Sequence, residues 1–327
     1  MVTFNSTFAL ARVLQGIYQL DYPNAQLRII FVDNSSTDET LSTLAEFQRQ
    51  NNSKYQSIQV VERGIHDSED TGEGRSICVD HAEGSYILML DSDALVAPQT
   101  LRRMLSHFNA NKNLGEVQFL AKEPESASRI RNMIIGMYVS KEPSHPYIGL
   151  TGGMHCVGIR MEIAKSLRFQ RLGRSDDEDF HFRLRKLGYD ILIDPTCRAE
   201  HLKPIPKMSN LRIFYGYLLY LFWSLPRYHV PMFSSGSKPR RQILRLTIYW
   251  ILITSIILTP FSVYPFLISL SAYMLYEAFR SNGIYRILNP IFYPVFGVVY
   301  GTGMLRELLA RAIVPGKLSG PNNKQVA

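Results

Sequence analysis

Residues 86–90, Tyr-Ile-Leu-Met-Leu, form an unbroken apolar run that ends in Asp91-Ser92-Asp93. A strand without polar alternation is buried on both faces, which is the pattern of an interior strand in an α/β sheet. Such sheets bind ligands beyond the carboxyl ends of their strands. Asp91 and Asp93 therefore point into a site. Two carboxylates so close repel unless a positive charge lies between them, and a hard divalent cation that also grips a diphosphate meets that need. A strand ending in a solvated turn is the plainer alternative.

The first two hundred or so residues alternate strand-like and helix-like segments, which predicts a mainly parallel, Rossmann-like sheet with helices on both faces. The opening strand, Met1 to Asn5, is short, and a few residues are expected to be missing before it. Phe8 to Leu20 carries Leu10, Val13, Leu14, Ile17 and Tyr18 on one helical stripe. Arg28 to Val32 and Ile58 to Val61 read as strands, and Ser36 with Glu39 reads as a capping box opening a helix from Glu39 to Gln50. Helices are predicted over Gly74–His81, Pro98–Phe108, Ser126–Val139 and Asp177–Leu187, the last ended by Gly188. Strands are predicted at Val117–Leu120 and Ile191–Ile193, the latter closed by an Asp194-Pro195 turn.

Charge divides the chain. Up to Lys203 there are 23 Lys and Arg against 26 Asp and Glu, whereas from Pro204 onward there are 13 against 2, so the net +8 belongs to the tail. That basic tail also holds an uncharged run of 31 residues, Leu246 to Tyr276. Long apolar stretches flanked by Lys and Arg suit a bilayer and speak against a nucleic-acid partner. At 1.5 Å per residue the run would measure about 46 Å, longer than a hydrocarbon core of roughly 30 Å. Pro260 and Pro265 allow a hairpin of two short spans, about residues 243–260 and 263–279, with a single kinked span as the alternative. Asn210 to Pro226, rich in Tyr, Phe, Trp and Leu, is expected to lie in the membrane interface. The predicted organisation is a catalytic domain over 1–203, an interfacial helix and linker over 204–240, and a transmembrane region with a basic tail over 241–327. Cys78, Cys156 and Cys197 form no closely spaced pair, which favours a reduced, cytoplasmic setting for the first domain.

Five features carrying chemistry follow in order: Val32-Asp33-Asn34-Ser35-Ser36-Thr37-Asp38, Arg75, Asp91-Ser92-Asp93, Glu178-Asp179 and His201. With Val2-Thr3-Phe4-Asn5, Thr151-Gly152-Gly153 and the Phe180 to Tyr189 stretch, this ordered set resembles the family 2 glycosyltransferases of GT-A fold. The resemblance spans nearly all of residues 2–201. It implies a nucleoside-diphosphate sugar, UDP- or GDP-linked, as donor, with Asp33 at the nucleobase and Arg75 near the diphosphate. It implies Mn²⁺ or Mg²⁺ held by Asp93 and Asp91, with His201 as a further ligand. Gly152 and Gly153 fall on the acceptor side, where backbone can approach a ligand.

By the same resemblance Asp179 is the general base, because an acceptor hydroxyl with a pKa far above 7 needs a carboxylate to take its proton. Glu178 would hold the acceptor or orient Asp179, and Arg183, four residues along the helix, would pair with Asp179 and keep it ionised. A single base implies one displacement and inversion at the anomeric carbon. The site and tail together suggest a membrane, polyprenyl-linked acceptor reached from the cytoplasmic face. A polyprenyl-phosphate glycosyl synthase and an inactive membrane scaffold are the alternatives. A processive polysaccharide synthase is disfavoured, since no Gln-x-x-Arg-Trp occurs.

Overall fold

The computed structural model describes residues 1–64, 71–122, 124, 129–139, 144–149, 153–171, 176–202, 209–224, 226, 251, 254–255, 259, 262–280 and 283–313. Contacts divide the chain into two compact units, residues 1–124 with 143–206, and residues 125–142 with 207–327.

The first unit holds two sheets. β1 (Val2–Thr3), β2 (Arg28–Asp33) and β3 (Ser57–Glu62) are parallel and in that order. The second sheet runs β4 (Tyr86–Leu90), β8 (Cys156–Arg160), β6 (Leu114–Lys122), β9 (Asp190–His201), β5 (Ala94–Leu95), with β7 (Tyr147–Ile148) also on β9. β6 and β9 pair in parallel, while β8 runs antiparallel to β4 and β6. Between the strands come α1 (Thr7–Tyr18), α2 (Thr40–Asn51), α3 (Thr71–His81), α4 (Thr100–Ala110), α6 (Met161–Leu167) and α7 (Asp176–Lys186). One core gathers Leu10 and Val13 of α1, Phe31, Leu44, Phe108 and Phe119. A second gathers Val32, Val79, Val157, Ile159, Phe180 and Leu184. Both form because the apolar stripes of the helices and the uninterrupted strands leave one face, or two, that water must quit.

Two expectations are corrected here. Ser36 does not cap α2: its hydroxyl and its backbone N–H both donate to Asp33, and the first turn of α2 is met instead by Asp38, which accepts from the Thr40 N–H. The Asp194-Pro195 turn does not end a strand either. β9 runs on to His201, and its pairing with β6 slips between Phe119 and Ala121, opposite Asp194 and Ala199. Proline fits because a ladder interrupted at that point asks no N–H of it.

The second unit contains α5 (Arg129–Val139), α8 (Asn210–Leu219) with a π-turn at Tyr220–Ser224, α9 (Tyr264–Arg280) and α10 (Tyr285–Ile313). They pack around Leu221, Tyr273, Phe296, Tyr300 and Met304. Gly136 leaves the space on α5 that the Tyr285 ring fills. The Ser209 hydroxyl caps α8 by accepting from the Arg212 N–H. Leu211, Tyr215, Leu219 and Trp223, spaced by four, are 78%, 60%, 38% and 55% exposed. Among the described residues no helix is long and apolar enough to cross a membrane. α9 lies where the second expected span was placed. Most of the first, 243–260, lies outside the described residues.

Candidate functional site

The carboxyl ends of β2 and β4 and the start of α7 bring the polar residues of the first unit together. β4 stops at Leu90, and the Asp91 N–H donates to the His155 carbonyl just ahead of β8. The turn is fixed again when the Leu202 N–H donates to the Asp93 carbonyl, and the Ser92 hydroxyl meets that of Ser6 at 2.7 Å. Asp91 and Asp93 thus sit on a rigid corner.

Arg75 of α3 is the hub. One guanidinium nitrogen lies 3.2 Å from Asp91 and another 2.5 Å from Asp176, the first residue of α7. Burial works against its charge, but Asp176 and Asp91 hold its pKa above the usual value. Asp91 shows the converse. Burial raises its carboxyl, yet the hydrogen bond from His155 and the charge of Arg75 bring it down to about 2. The His155 Nδ1 lies 2.9 Å from Asp91, the His201 Nε2 lies 3.1 Å from Asp93, and the two imidazole rings are 4.8 Å apart.

Asp33 reaches the end of β2 as expected, but it is fully buried. Its carboxylate accepts from Thr3 and twice from Ser36. In this conformation it shapes the turn. Gly152 lies outside the described residues, while Gly153 stands beside His155.

The acidic start of α7 divides by face. Asp179 has no exposure, and Arg183 binds it at 2.7 Å while also donating to the carbonyls of Leu167 and Arg168. Asp177, two residues earlier and so about 200° around the helix, is partly exposed. Burial, followed by the neighbouring charge of Asp176, pushes its carboxyl up to about 6. Glu178 is partly exposed as well.

The sequence reading missed His155 and also a buried group under α7. There His181 lies 2.9 Å from Glu116, and the Gln118 amide donates to Glu116. Burial lowers the His181 pKa and Glu116 more than restores it, so the net shift is upward. Strand alternation could have flagged Glu116 and Gln118, two polar residues on one face of β6 where apolar ones belong.

Comparison with known proteins decides the family. The model of "Glycosyl transferase family 2" matches residues 1–168, just over half of the chain. The chain belongs to glycosyl transferase family 2. Its first unit is therefore the domain of an enzyme, a glycosyltransferase. A poly(ribitol-phosphate) beta-N-acetylglucosaminyltransferase, TarS, of Staphylococcus aureus is 27% identical over 100 residues, 31% of this chain and 16% of its own. A beta-monoglucosyldiacylglycerol synthase of Synechocystis is 28% identical over 114 residues, 35% of this chain and 23% of its own. The matched stretch thus spans under a quarter of either relative. Among solved structures, a mannosyltransferase of Pyrobaculum calidifontis in complex with GDP-Man and Mn²⁺ superposes with a TM-score of 0.62. It is 18% identical and covers 95% of this chain and 86% of its own. That likeness establishes the GT-A, Rossmann-like fold.

The donor set suits a divalent ion in kind, with carboxylate oxygens from Asp93 and Asp91 and imidazole nitrogens from His201 and His155. They stand in two hydrogen-bonded pairs. Among the described residues no three His, Cys, Asp or Glu groups yet surround one point.

Proposed function

We propose that the chain is an inverting, divalent-metal-dependent glycosyltransferase that moves a sugar from a UDP- or GDP-linked donor to a hydroxyl of a lipid-linked acceptor. The observation that carries this reading is the double ion pair of Arg75, which ties the acidic corner after β4 to the N-terminus of α7. One guanidinium thereby links the corner proposed for the donor to the helix end proposed for the acceptor, a positioning on which group transfer would depend. The mannosyltransferase of like fold was solved with GDP-Man and Mn²⁺, and a relative in sequence is a beta-monoglucosyldiacylglycerol synthase. The first supports a nucleotide-sugar donor, and the second supports a lipid acceptor.

In this mechanism Asp93 and His201 would hold the cation. When bound, Mn²⁺ or Mg²⁺ supplies Lewis-acid stabilisation of the departing nucleoside diphosphate. Arg75 adds a forked donor beside it. Asp33 keeps the β2 turn in shape, and its contact with a nucleobase would require Thr3 or Ser36 to yield.

The base is reassigned. A base must reach the proton it takes, and Asp179 is shut in with Arg183. We therefore give the role to Asp177, on the other face of α7, with Glu178 beside it to hold the acceptor. The hydroxyl proton passes to the Asp177 carboxylate as the oxygen attacks the anomeric carbon, and one displacement inverts it.

Asp177→Asn should lower turnover by about 100-fold or more, measured with UDP- and GDP-sugars on a polyprenyl-linked acceptor. A thermal-shift titration with UDP and GDP should be unchanged. Full turnover in Asp177→Asn would favour a polyprenyl-phosphate acceptor instead, whose anionic oxygen needs no base.

A further inference from the structure

A groove of about 510 Å³ in the first unit is lined both by Arg28 to Phe31 of β2 and by Tyr86 to Leu90 of β4. Met104 of α4 and Cys78 of α3 line it as well. The first belongs to the core that holds Phe31 and the second to the core that holds Val32. Successive residues of a strand point to opposite faces, so helices cover the groove above and below the sheet plane.

Its two long sides are open backbone. Among the described residues β1 pairs only with β2, and β4 only with β8. The Val32 N–H donates to the Met1 carbonyl, and the Met1 nitrogen donates to the Ile30 carbonyl at 2.8 Å. Alternate residues of a strand serve one neighbour, and Leu27 and Asp33 accept from the β3 side, from Gln56 and Arg63. The groups next due on the β1 side are therefore the Ile30 N–H and the Arg28 carbonyl, which face the groove. On β4 the Asp91 N–H donates to His155, and Ser85 accepts from Met161, so the odd-numbered residues serve β8. Tyr86 and Leu88 turn their backbone groups the other way, into the groove. Unpaired N–H and C=O groups inside a sheet cost as much as lost hydrogen bonds. Ile29, Ile30, Ile87 and Leu88 are only partly buried here.

We infer that the groove seats a further β-strand of about four residues, opposite Leu27 to Ile30, which continues β1 on the N-terminal side of Met1 and joins the two sheets into one. Covered on both faces, such a strand is apolar throughout, and paired on both edges it excludes proline. β2 ends at Asp33 and β4 stops just before Asp91. The added strand would tie those two corners together and set the width of the site between them, whichever residue serves as base and whether or not a metal binds.

The probe is the full chain preceded by Lys-Ile-Val-Val-Val. It is compared with the chain beginning at Met1 and with one preceded by Lys-Ile-Pro-Val-Pro. Hydrogen exchange of the Ile30 and Leu88 amides, read by mass spectrometry on fragments of β2 and β4, reports whether the groove is filled. The apolar extension should slow both by about tenfold or more and raise Tm, while the proline version leaves both unchanged. Extensions of a single valine and of two valines serve if the longer one does not fold. Ile30 should gain protection only with the second, whose carbonyl is the one in register with its N–H. No change at Ile30 and Leu88 with any extension, or equal protection by the proline version, overturns the inference. So does slow exchange at both amides in the chain beginning at Met1. Protection by the free peptide acetyl-Lys-Ile-Val-Val-Val-amide but not by the fused one overturns continuity with β1 and makes the groove a seat for another chain.

Discussion

Asp177 and Asp179 differ by two positions, and the turn of a helix makes that the difference between partial exposure and the core. Asp177 titrates at about 6 because burial and Asp176 disfavour its charge, with His181 and Arg75 pulling the other way. As the base it works only when ionised. Turnover should therefore rise with pH through about 6 and level off above, a limb absent from the residual activity of Asp177→Asn in a pH–rate profile. Asp179→Asn should instead act on stability, because it leaves Arg183 without its buried partner. A loss of about 3 kcal/mol in urea unfolding is expected. Much of the site could be read from the sequence because its residues end strands: Asp33, Asp91 and Asp93 each follow an apolar run. The acidic start of α7 could not be resolved that way, since four successive acids all fit a helix N-terminus. The signal that would have sorted them was present in Arg183. A partner at i+4 occupies Asp179, and an occupied, buried carboxylate is a poor base.

At the scale of elements, Asp194 shows how an irregular strand is held. It has no exposure and accepts from Arg103 and His107 of α4, while its other oxygen takes the N–H and hydroxyl of Thr196. This side-chain turn is the chemistry that the sequence suggested at Asp194-Pro195, expressed as an excursion inside β9. Burial raises the Asp194 carboxyl, but the hydrogen bonds from Thr196, His107 and Arg103 bring it down to about 2. A folded pKa below the unfolded value means stability that is present above about pH 4 and lost as pH falls towards 2. Asp194→Asn should remove that acid-dependent step and cost about 3 kcal/mol at neutral pH, measured by urea unfolding at pH 7 and pH 3. β4 was legible because five apolar residues run to an abrupt polar stop. β8 was not, since Cys156 to Arg160 is short, contains Gly158 and follows two glycines. Gly158 is needed there because Met104 of α4 occupies the space a side chain would take, a tertiary fact with no local trace.

For the whole molecule, the open question is what the apolar surface of the second unit meets. Leu211, Tyr215 and Leu219 form an exposed stripe on α8, and the chain from Pro204 onward carries 13 basic residues against 2 acidic ones. An exposed apolar strip in a stretch of sequence with excess positive charge fits an anionic bilayer surface, where burial of side chains adds to attraction for headgroups. We propose interfacial attachment through α8. Leu211→Ser with Tyr215→Ser should reduce flotation with phosphatidylglycerol vesicles by about tenfold, since each fully buried side chain contributes on the order of 1.5–3 kcal/mol and these would be only partly immersed. Trp223 is best left alone, because Arg306 stacks on it at 3.9 Å. Salt separates the two contributions. At about 1 M, where the Debye length falls to about 3 Å, the wild type should lose only its electrostatic share while the double variant should detach. Equal flotation of both proteins at high salt would mean that α8 does not face lipid and that attachment lies elsewhere in the chain.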